Sequence, residues 1–359
     1  MKKTNLIWLS LAGIVLCACS GAEPQLTDYV KAIPLFASKD EAKILQLTDI
    51  HWSFGTDYAK EKAYLTYLVT KADPDFIVAT GDSFLSANAT TVNTLWDLFD
   101  SWKIPWTFVY GNHDEQGTYN PHYISEEALK RTYCRNSEIS NDGVYGDSNY
   151  VVDLTDGAGL TKWQLYGLDS NSLHYNGLFY DYDVIHQDQI DWYEKEVNLA
   201  KSQNGGAVVP SLAFFHIPLW QWTYAYRQSQ SLDDPDEFYH GGEMREEVYD
   251  KVKALGDTRS YTGYADSGFF TKAEELGSTK AMFCGHDHIN DFYSVYRDAT
   301  WTGDSDGGIL LAYGLKSGDG LYFDPDMIGG NLVTAHSDGS FDPAVDFKQL
   351  FVTYEEAGL

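Results

Sequence analysis

Residues 43–51 read Lys-Ile-Leu-Gln-Leu-Thr-Asp-Ile-His, a short apolar run that is followed by the triplet Asp-Ile-His. The same arrangement returns at residues 75–82, Asp-Phe-Ile-Val-Ala-Thr-Gly-Asp, and at residues 106–114, Trp-Thr-Phe-Val-Tyr-Gly-Asn-His-Asp. Apolar runs of this length are typical of buried strands. Helical patterns separate them, at residues 60–71 and 89–102. This alternation predicts a largely parallel sheet in this part of the chain.

The rest of the chain predicts a more mixed arrangement, because many of its strand candidates follow one another without a helix between them. One helix is expected at residues 187–200. Further strands are expected at residues 150–154, 163–168, 210–216, 281–285, 292–296, 309–313 and 350–354. Strands joined without helices favour antiparallel pairing. The expected fold class is therefore α/β of the α+β type, with two mixed β-sheets packed face to face and helices outside.

Five of the predicted strands end in side chains that can bind a metal. The residues at these ends are Asp49 and His51, Asp82, Asn112 to Asp114, His216, and His286 to His288. Ligands of an α/β sheet bind in the crevice outside the carboxyl ends of its strands. Each motif alone would be weak evidence, but the ordered set predicts one common site. The other five histidines, which lie outside these motifs, are assigned no role.

The ordered set resembles the calcineurin-like metallophosphoesterases. Their pattern is Asp-x-His, Gly-Asp, Gly-Asn-His-Asp, a lone His and Gly-His-x-His, and it is matched here between about residues 43 and 315. The flanking sequences are similar to the single-domain relatives of purple acid phosphatases. The resemblance implies the four-layer sandwich of that family and a metal-dependent hydrolase of phosphate monoesters or diesters.

The resemblance also implies a centre of two divalent metal ions. Asp49, His51 and His288 would bind the first metal, Asn112, His216 and His286 the second, and Asp82 would bridge them. Imidazole and oxygen ligands suit several metals, so Mn, Zn, Fe and Ni remain open. Purple acid phosphatases have a tyrosine three positions after the bridging aspartate, where this chain has Leu85. A colourless enzyme is therefore expected.

Two residues of the Gly-Asn-His-Asp motif are expected to act in catalysis. His113 would bond a phosphoryl oxygen or protonate the leaving group. Asp114 would hold the His113 imidazole in one tautomer, and the alternative is that Asp114 only shapes the turn. The metals would lower the pKa of a bridging water, so that hydroxide attacks the phosphorus.

The formal charge of the 359-residue chain is −28, from 25 basic and 53 acidic residues. This balance excludes a general binder of nucleic acid or of anionic membranes, because both need a basic footprint. Two divalent cations, two carboxylates and one hydroxide leave about +1 at the metal centre. A small phosphate ester is therefore the expected partner. The chain is expected to be a monomer.

The first residues resemble a bacterial lipoprotein signal. Residues 1–18 are expected to be removed, Cys19 to carry lipid and residues 19–40 to form a tether before a single catalytic domain at residues 41–359. An ordinary signal peptide is the alternative. The protein is expected to be exported and held on the periplasmic or cell-surface side of the envelope only through its lipid. Cys134 and Cys284 are expected to be free thiols, although a disulfide between them stays open.

The segment after His216 is rich in aromatic residues. Trp220, Trp222 and Tyr226 could stack on a substrate, and Arg227 could bind a second anionic group. The equally favoured alternative is an aromatic cluster that covers the sheet edge. Two other functions also stay open. A nucleotide-specific phosphohydrolase would need a second domain, for which the sequence after His288 leaves little room, and a non-catalytic scaffold of the same fold would be expected to lack ligands.

Overall fold

The computed structural model describes residues 30–137, 143–175, 177–178, 180–231, 262–298 and 307–359, and the backbone of 240–241. In chain order its strands are β1 (Val30–Phe36), β2 (Glu41–Leu47), β3 (Phe76–Thr80), β4 (Trp106–Val109), β5 (Tyr150–Asp156), β6 (Thr161–Gly167), β7 (Leu173–Tyr175), β8 (Tyr180–Tyr182), β9 (Ser211–Phe214), β10 (His240–Gly241), β11 (Thr279–Cys284), β12 (Tyr293–Tyr296), β13 (Ile309–Tyr313), β14 (Gly329–His336) and β15 (Phe347–Phe351). Its helices are α1 (Tyr58–Ala72), α2 (Ala89–Ser101), α3 (Pro121–Leu129), α4 (Gln187–Gln203), α5 (Trp220–Ser231), α6 (Phe269–Leu276) and α7 (Pro343–Asp346).

Two large sheets form the centre of the molecule. The strand order of the larger sheet is β1-β5-β6-β9-β11-β13-β12-β10, and that of the smaller is β15-β14-β2-β3-β4. In the smaller sheet β2, β3 and β4 are parallel, while β14 and β15 run antiparallel. Strands β7 and β8 form a separate antiparallel hairpin. Both large sheets are mixed, as the sequence predicts.

The two sheets pack face to face, and helices cover their outer faces. The central core joins side chains of both sheets, among them Ile44 and Val78 of the smaller sheet and Phe214 and Phe283 of the larger. A second core lies between the smaller sheet and helices α1 and α2. A third lies between the larger sheet and helices α4, α5 and α6. The predicted four-layer α/β architecture is therefore confirmed.

Local capping explains where the first two helices begin. The Asp57 side chain accepts hydrogen bonds from the amides of Ala59 and Lys60 at the start of α1. Asn88 and Thr91 form a reciprocal capping box at the start of α2. Such caps satisfy amide groups that have no partner inside the helix.

Within the described part of the chain, no helix combines the length and the apolar character that a membrane span requires.

The structure corrects two expectations about the fold. The tether expected at residues 19–40 is wrong for residues 30–36, because these form strand β1, which pairs in parallel with β5 and buries Ile33 and Phe36. The antiparallel pairing expected for the later strands is wrong at the centre of the larger sheet. There β9 runs parallel to β6 and to β11, and β11 runs parallel to β13.

Cys19 lies outside the described residues, and Cys134 and Cys284 are both free thiols.

Candidate metal centre

The predicted ligands meet at one edge of the two sheets, in the loops that follow β2, β3, β4, β9 and β11. Two overlapping groups of buried side chains offer ligand atoms that lie within 4.8 Å of one another. One group contains Asp49, His51, Asp82 and His288, and the other contains Asp82, His216 and His286. Asp82 belongs to both groups, in the position that the sequence predicts for a bridging ligand.

The first group is organised around the nitrogens of two histidines. His51 Nε2 lies 2.9 Å from His288 Nε2, and His288 Nε2 lies 3.3 Å from Asp49 Oδ1. His288 Nδ1 donates to the main-chain oxygen of Tyr322 at 2.8 Å. This bond places the proton of the neutral ring on Nδ1, so that the Nε2 lone pair points to the centre. The cluster therefore has the donor set of a cation site.

The second group is organised around Asp82. Its Oδ2 lies 3.2 Å from His216 Nε2, and its Oδ1 accepts the main-chain N–H of His113 at 2.7 Å. His216 Nδ1 donates to the main-chain oxygen of Thr80 at 2.9 Å, which directs Nε2 at the carboxylate. The Asn112 side-chain oxygen is buried and makes no hydrogen bond within the described structure. A buried amide oxygen without a donor is costly, and a cation at this place would satisfy it.

The backbone is strained where it presents these ligands. Asp49, His51, Asp82 and His286 have φ values of 52°, 54°, 47° and 77°. Residues other than glycine rarely adopt this left-handed region, and such outliers concentrate at functional sites. The hydrogen bond from the His286 amide to Asp49 Oδ2, at 3.0 Å, is one of the contacts that hold this geometry.

Close packing explains two glycines of the motifs. A Cβ on Gly285 would lie 2.0 Å from Thr48 Oγ1 and 2.7 Å from Asp49 Oδ2. A Cβ on Gly111 would lie 2.3 Å from Asp82 Oδ1. Both distances are shorter than non-bonded atoms tolerate, so a side chain at either position would displace a carboxylate of the site.

Electrostatics keep both carboxylates ionised. Burial alone would raise the pKa of Asp49, but His288, His216 and His51 hold it well below its usual range. Burial opposes ionisation of Asp82 as well, and the neighbouring His216 still lowers its pKa. Burial also lowers the pKa of His286 to about 3, so this ring is neutral at physiological pH. Burial opposes the charge on His216 as well, but Asp82 raises the pKa of that ring to about 9. Because metals bind ionised carboxylates and neutral imidazoles, a cation here would have to displace the His216 proton.

His113 lies beside the first group, but the prediction for Asp114 is wrong. The His113 ring meets the His51 ring edge-on with centroids 5.2 Å apart, and its Nδ1 lies 2.9 Å from Gln116 Oε1. Asp114 instead accepts the main-chain N–H groups of Phe84 and Gly111, each at 2.8 Å. Asp114 therefore fixes the turn, and Gln116 takes the orienting position. The sequence feature that could have indicated this contact is the position of Gln116, three residues after His113.

The aromatic segment after His216 matches one of the two equally favoured alternatives. Trp222 is fully buried and packs edge-on against Phe215, so it belongs to the core and cannot stack on a substrate. Trp220 donates its indole N–H to the main-chain oxygen of Gly263 at 2.9 Å. Tyr226 packs edge-on against Phe292. These three contacts match the alternative of an aromatic cluster over the sheet. The role proposed for Arg227 stays a prediction.

Three residues near the centre were missed by sequence reasoning. Tyr182 meets the His286 ring edge-on with centroids 4.4 Å apart, and Tyr322 stacks on His288 at 4.2 Å. Lys316 is almost completely buried, and its ammonium group donates to the main-chain oxygen of Asp49 at 2.5 Å. Burial lowers the pKa of Lys316 to about 8. None of the three lies in a motif, so the sequence carried no signal for them.

Comparisons with known proteins identify a family and several relatives. The family model for calcineurin-like phosphoesterases matches residues 42–290. A protein named "Probable inactive purple acid phosphatase 29" from Arabidopsis thaliana is 25% identical over 321 residues, which cover 80% of this chain and 75% of that protein. "Phosphatase DCR2" from Saccharomyces cerevisiae is 29% identical over 285 residues, 72% of this chain and 46% of that protein. A solved structure titled "GAP50 the anchor in the inner membrane complex of Plasmodium" is 14% identical, with a TM-score of 0.44, and the match covers 88% of this chain and 90% of that one.

Proposed function

The chain belongs to the calcineurin-like phosphoesterase family, and from this premise we propose that it hydrolyses phosphate esters at a dinuclear divalent metal centre. Asp49, His51 and His288 would hold the first metal. Asn112, His216 and His286 would hold the second, with Asp82 between them. The metal identity stays open among Mn, Zn, Fe and Ni, and the substrate can be a monoester or a diester. The convergence of six Asp and His side chains on one buried edge carries the proposal, and the buried, unbonded side-chain oxygen of Asn112 supports it.

The metals, when bound, would supply an activated water and neutralise charge on the phosphoryl oxygens. The chain supplies the geometry and the proton. Thr80, through its main-chain oxygen, orients His216, and Tyr322 orients His288 in the same way. His113 Nδ1 lies 2.9 Å from Gln116 Oε1, and the other ring nitrogen, Nε2, is the atom through which His113 would act on the substrate. As an imidazolium, with Nε2 protonated as well, it would donate a hydrogen bond from Nε2 to a phosphoryl oxygen, or give that proton to the leaving alkoxide and become the neutral ring.

The names of several relatives favour a second candidate, a non-catalytic scaffold. The Arabidopsis protein is called "probable inactive", and so are two further relatives from the same plant. The yeast relative is called a phosphatase. A scaffold would be free to lose ligands or the histidine that serves the leaving group. This chain keeps the whole ligand set and His113, which favours activity.

A substrate panel tests the proposal directly. The purified chain, stripped of metal and then loaded with Mn²⁺ or Zn²⁺, should release p-nitrophenolate from p-nitrophenyl phosphate or its bis ester. Asp82→Asn is the matched control, because it keeps the shape of the side chain and removes the bridging charge. The control should lose both metal and activity. A wild-type protein that binds two metals and hydrolyses neither ester would establish the scaffold.

We further propose that the protein acts outside the cytoplasm, held by lipid on Cys19 and working as a monomer on a small substrate. The pattern of residues 1–19 supports the export, and the charge of −28 argues against nucleic acid as a partner. Mass spectrometry of the N-terminal peptide from the native membrane fraction should find an acylated Cys19. Cys19→Ser should move the protein into the soluble fraction, and an unmodified wild-type peptide would contradict the lipid attachment.

A further inference from the structure

A loop outside the family match lies against the first-metal ligands. Residues 316–322 read Lys-Ser-Gly-Asp-Gly-Leu-Tyr and follow strand β13, whereas the family match ends at residue 290. We infer that this 316–322 loop positions Asp49, His51 and His288, and so sets the affinity of the first metal without setting that of the second. The inference rests on the ligand assignment of the proposed function, but it concerns metal binding and not hydrolysis.

The loop begins by pairing with the chain just before Asp49. The Thr48 amide donates to Ser317 Oγ at 3.1 Å, and the Ser317 amide donates to the Thr48 oxygen at 2.8 Å. Lys316 then donates to the main-chain oxygen of Asp49. Asp49 has a positive φ, which only surrounding contacts can maintain. These bonds therefore stabilise the strained backbone that directs the Asp49 carboxylate into the site.

The middle of the loop packs against the main chain of the Asp-x-His triplet. A Cβ on Gly318 would lie 2.6 Å from the Ile50 oxygen. A Cβ on Gly320 would lie 2.5 Å from His51 Cβ and 2.9 Å from its main-chain oxygen. The loop thus lies in direct contact with His51, which also has a positive φ. Asp319 ties the loop to helix α1 through an ion pair with Lys60 at 2.6 Å.

The end of the loop fixes the third ligand. Tyr322 accepts the Nδ1 proton of His288 on its main-chain oxygen and stacks its ring on the same imidazole at an angle of 24°. A histidine ligand depends on such an outer bond for its tautomer and its orientation. The loop therefore touches the three ligands that are assigned to the first metal alone, Asp49, His51 and His288. On the second-metal side, the comparable contact to His216 comes from Thr80 at the end of β3.

Gly320→Ala is the sharpest test, because φ at Gly320 is not positive and the three atoms nearest to a new Cβ all belong to His51. Gly157→Ala is its matched control, because a Cβ there would lie 3.7 Å from Ala37, an ordinary contact. Co²⁺ binding is measured by equilibrium dialysis and visible absorption. Each variant is studied in the His216→Ala background, which leaves the first site, and in the His288→Ala background, which leaves the second.

We expect Gly320→Ala to weaken Co²⁺ binding about 10- to 100-fold at the first site, the effect typical of outer contacts to metal ligands. Binding at the second site and in the Gly157→Ala control should not change. Tyr322→Leu should weaken the first site in the same direction. It is the safeguard if Gly320→Ala misfolds, because the Tyr322 side chain is largely exposed and its loss should spare the fold.

Three results would overturn the inference. They are unchanged first-site affinity in both variants, an equal loss at both sites, and an equal loss in the Gly157→Ala control. Hydrolysis is not part of this measurement, so an inactive wild-type protein that shows the expected pattern would contradict the proposed function and leave the loop's role intact. A folded wild-type protein that binds no Co²⁺ would contradict both.

Discussion

At the residue scale, His113 and Asp114 are neighbours in the Gly-Asn-His-Asp motif but have different roles. Asp114 is buried and accepts two main-chain N–H groups, whereas His113 is half-buried and faces the cluster of ligands. Burial and the nearby Asp82 raise the pKa of Asp114 well above its usual range. The carboxyl group is thus part of the turn that delivers Asn112 and His113. Proton transfer is left to His113, whose ring Gln116 orients.

Replacement of His113 by alanine should separate chemistry from metal binding. We expect kcat to fall about 10²- to 10⁴-fold, the usual contribution of a positioned acid or base. Metal content should stay the same, because the cluster of ligands does not include the His113 ring. Steady-state kinetics and elemental analysis of the same sample measure the two effects. An unchanged kcat would remove His113 from the mechanism.

At the scale of elements, strand β1 and helix α1 pack against the sheets although neither contains a motif residue. Strand β1 extends the edge of the larger sheet and contributes Ile33 and Phe36 to the central core. Helix α1 carries Glu61, a carboxyl group that is 2% exposed and accepts a hydrogen bond from Tyr354 near the end of the chain. Each element therefore makes a testable contribution to the free energy of unfolding.

Ile33→Ala should destabilise the protein, because Ile33 is 7% exposed in the core between the sheets. The expected loss is about 2–5 kcal/mol, as for other truncations of buried aliphatic residues. Urea unfolding followed by circular dichroism measures it. Ala32→Ser is the control, because Ala32 lies on the exposed side of the same strand. Equal stability of both variants would indicate that this segment does not pack in the core and acts as the tether that the sequence predicts.

Glu61→Gln should make stability less dependent on pH. Burial raises the pKa of Glu61 to about 7, so folding favours the protonated carboxyl group. In the wild-type protein this contribution is complete below the unfolded pKa of about 4.3 and is lost as pH rises through 7. The amide cannot ionise, so the variant should gain stability over the wild-type protein between pH 5 and pH 8. Urea midpoints at the two pH values measure the gain, and a constant difference would contradict the shift.

At the scale of the whole molecule, an acidic surface encloses a centre that is expected to be cationic when metals are bound. The formal charge of −28 repels anionic substrates at long range, although this repulsion is screened beyond about 8 Å at physiological salt. The local attraction at the metals acts over shorter distances. Salt should therefore weaken the repulsion more than it weakens binding in the site.

We expect kcat/KM for phosphate esters to rise with ionic strength. The rise should be steeper for the doubly charged p-nitrophenyl phosphate than for its singly charged bis ester, because repulsion scales with the charge of the substrate. The experiment uses NaCl from about 10 to 300 mM at constant metal concentration, a range over which screening changes strongly. The bis ester serves as the internal control. A fall in kcat/KM for both esters would show that the surface charge does not govern their approach.

The sequence predicted where the candidate metal ligands meet, because the carboxyl ends of buried strands converge. Each of these ends could be recognised from an apolar run and the polar residues that follow it. It could not predict contacts made by segments without a motif. Strand β1 looked like a tether because Pro34 and scattered apolar residues hide its pairing with β5. The role of Trp222 stayed open between a substrate contact and a structural cluster, because an aromatic run has the same sequence pattern in a core and at a binding surface. Lys316 and Tyr322 depend on a loop whose path is set only by tertiary packing.

The left-handed backbone at Asp49, His51, Asp82 and His286 has a consequence for how this protein can diversify. Aspartate, asparagine, histidine and glycine tolerate such dihedral angles, whereas β-branched side chains do not. In a library of single substitutions selected only for soluble expression, valine, isoleucine and threonine should be depleted at these four sites even without metal in the medium. Neutral drift from a hydrolase to a scaffold would then pass through asparagine or glycine at these positions, and such a descendant could regain its ligands by single substitutions.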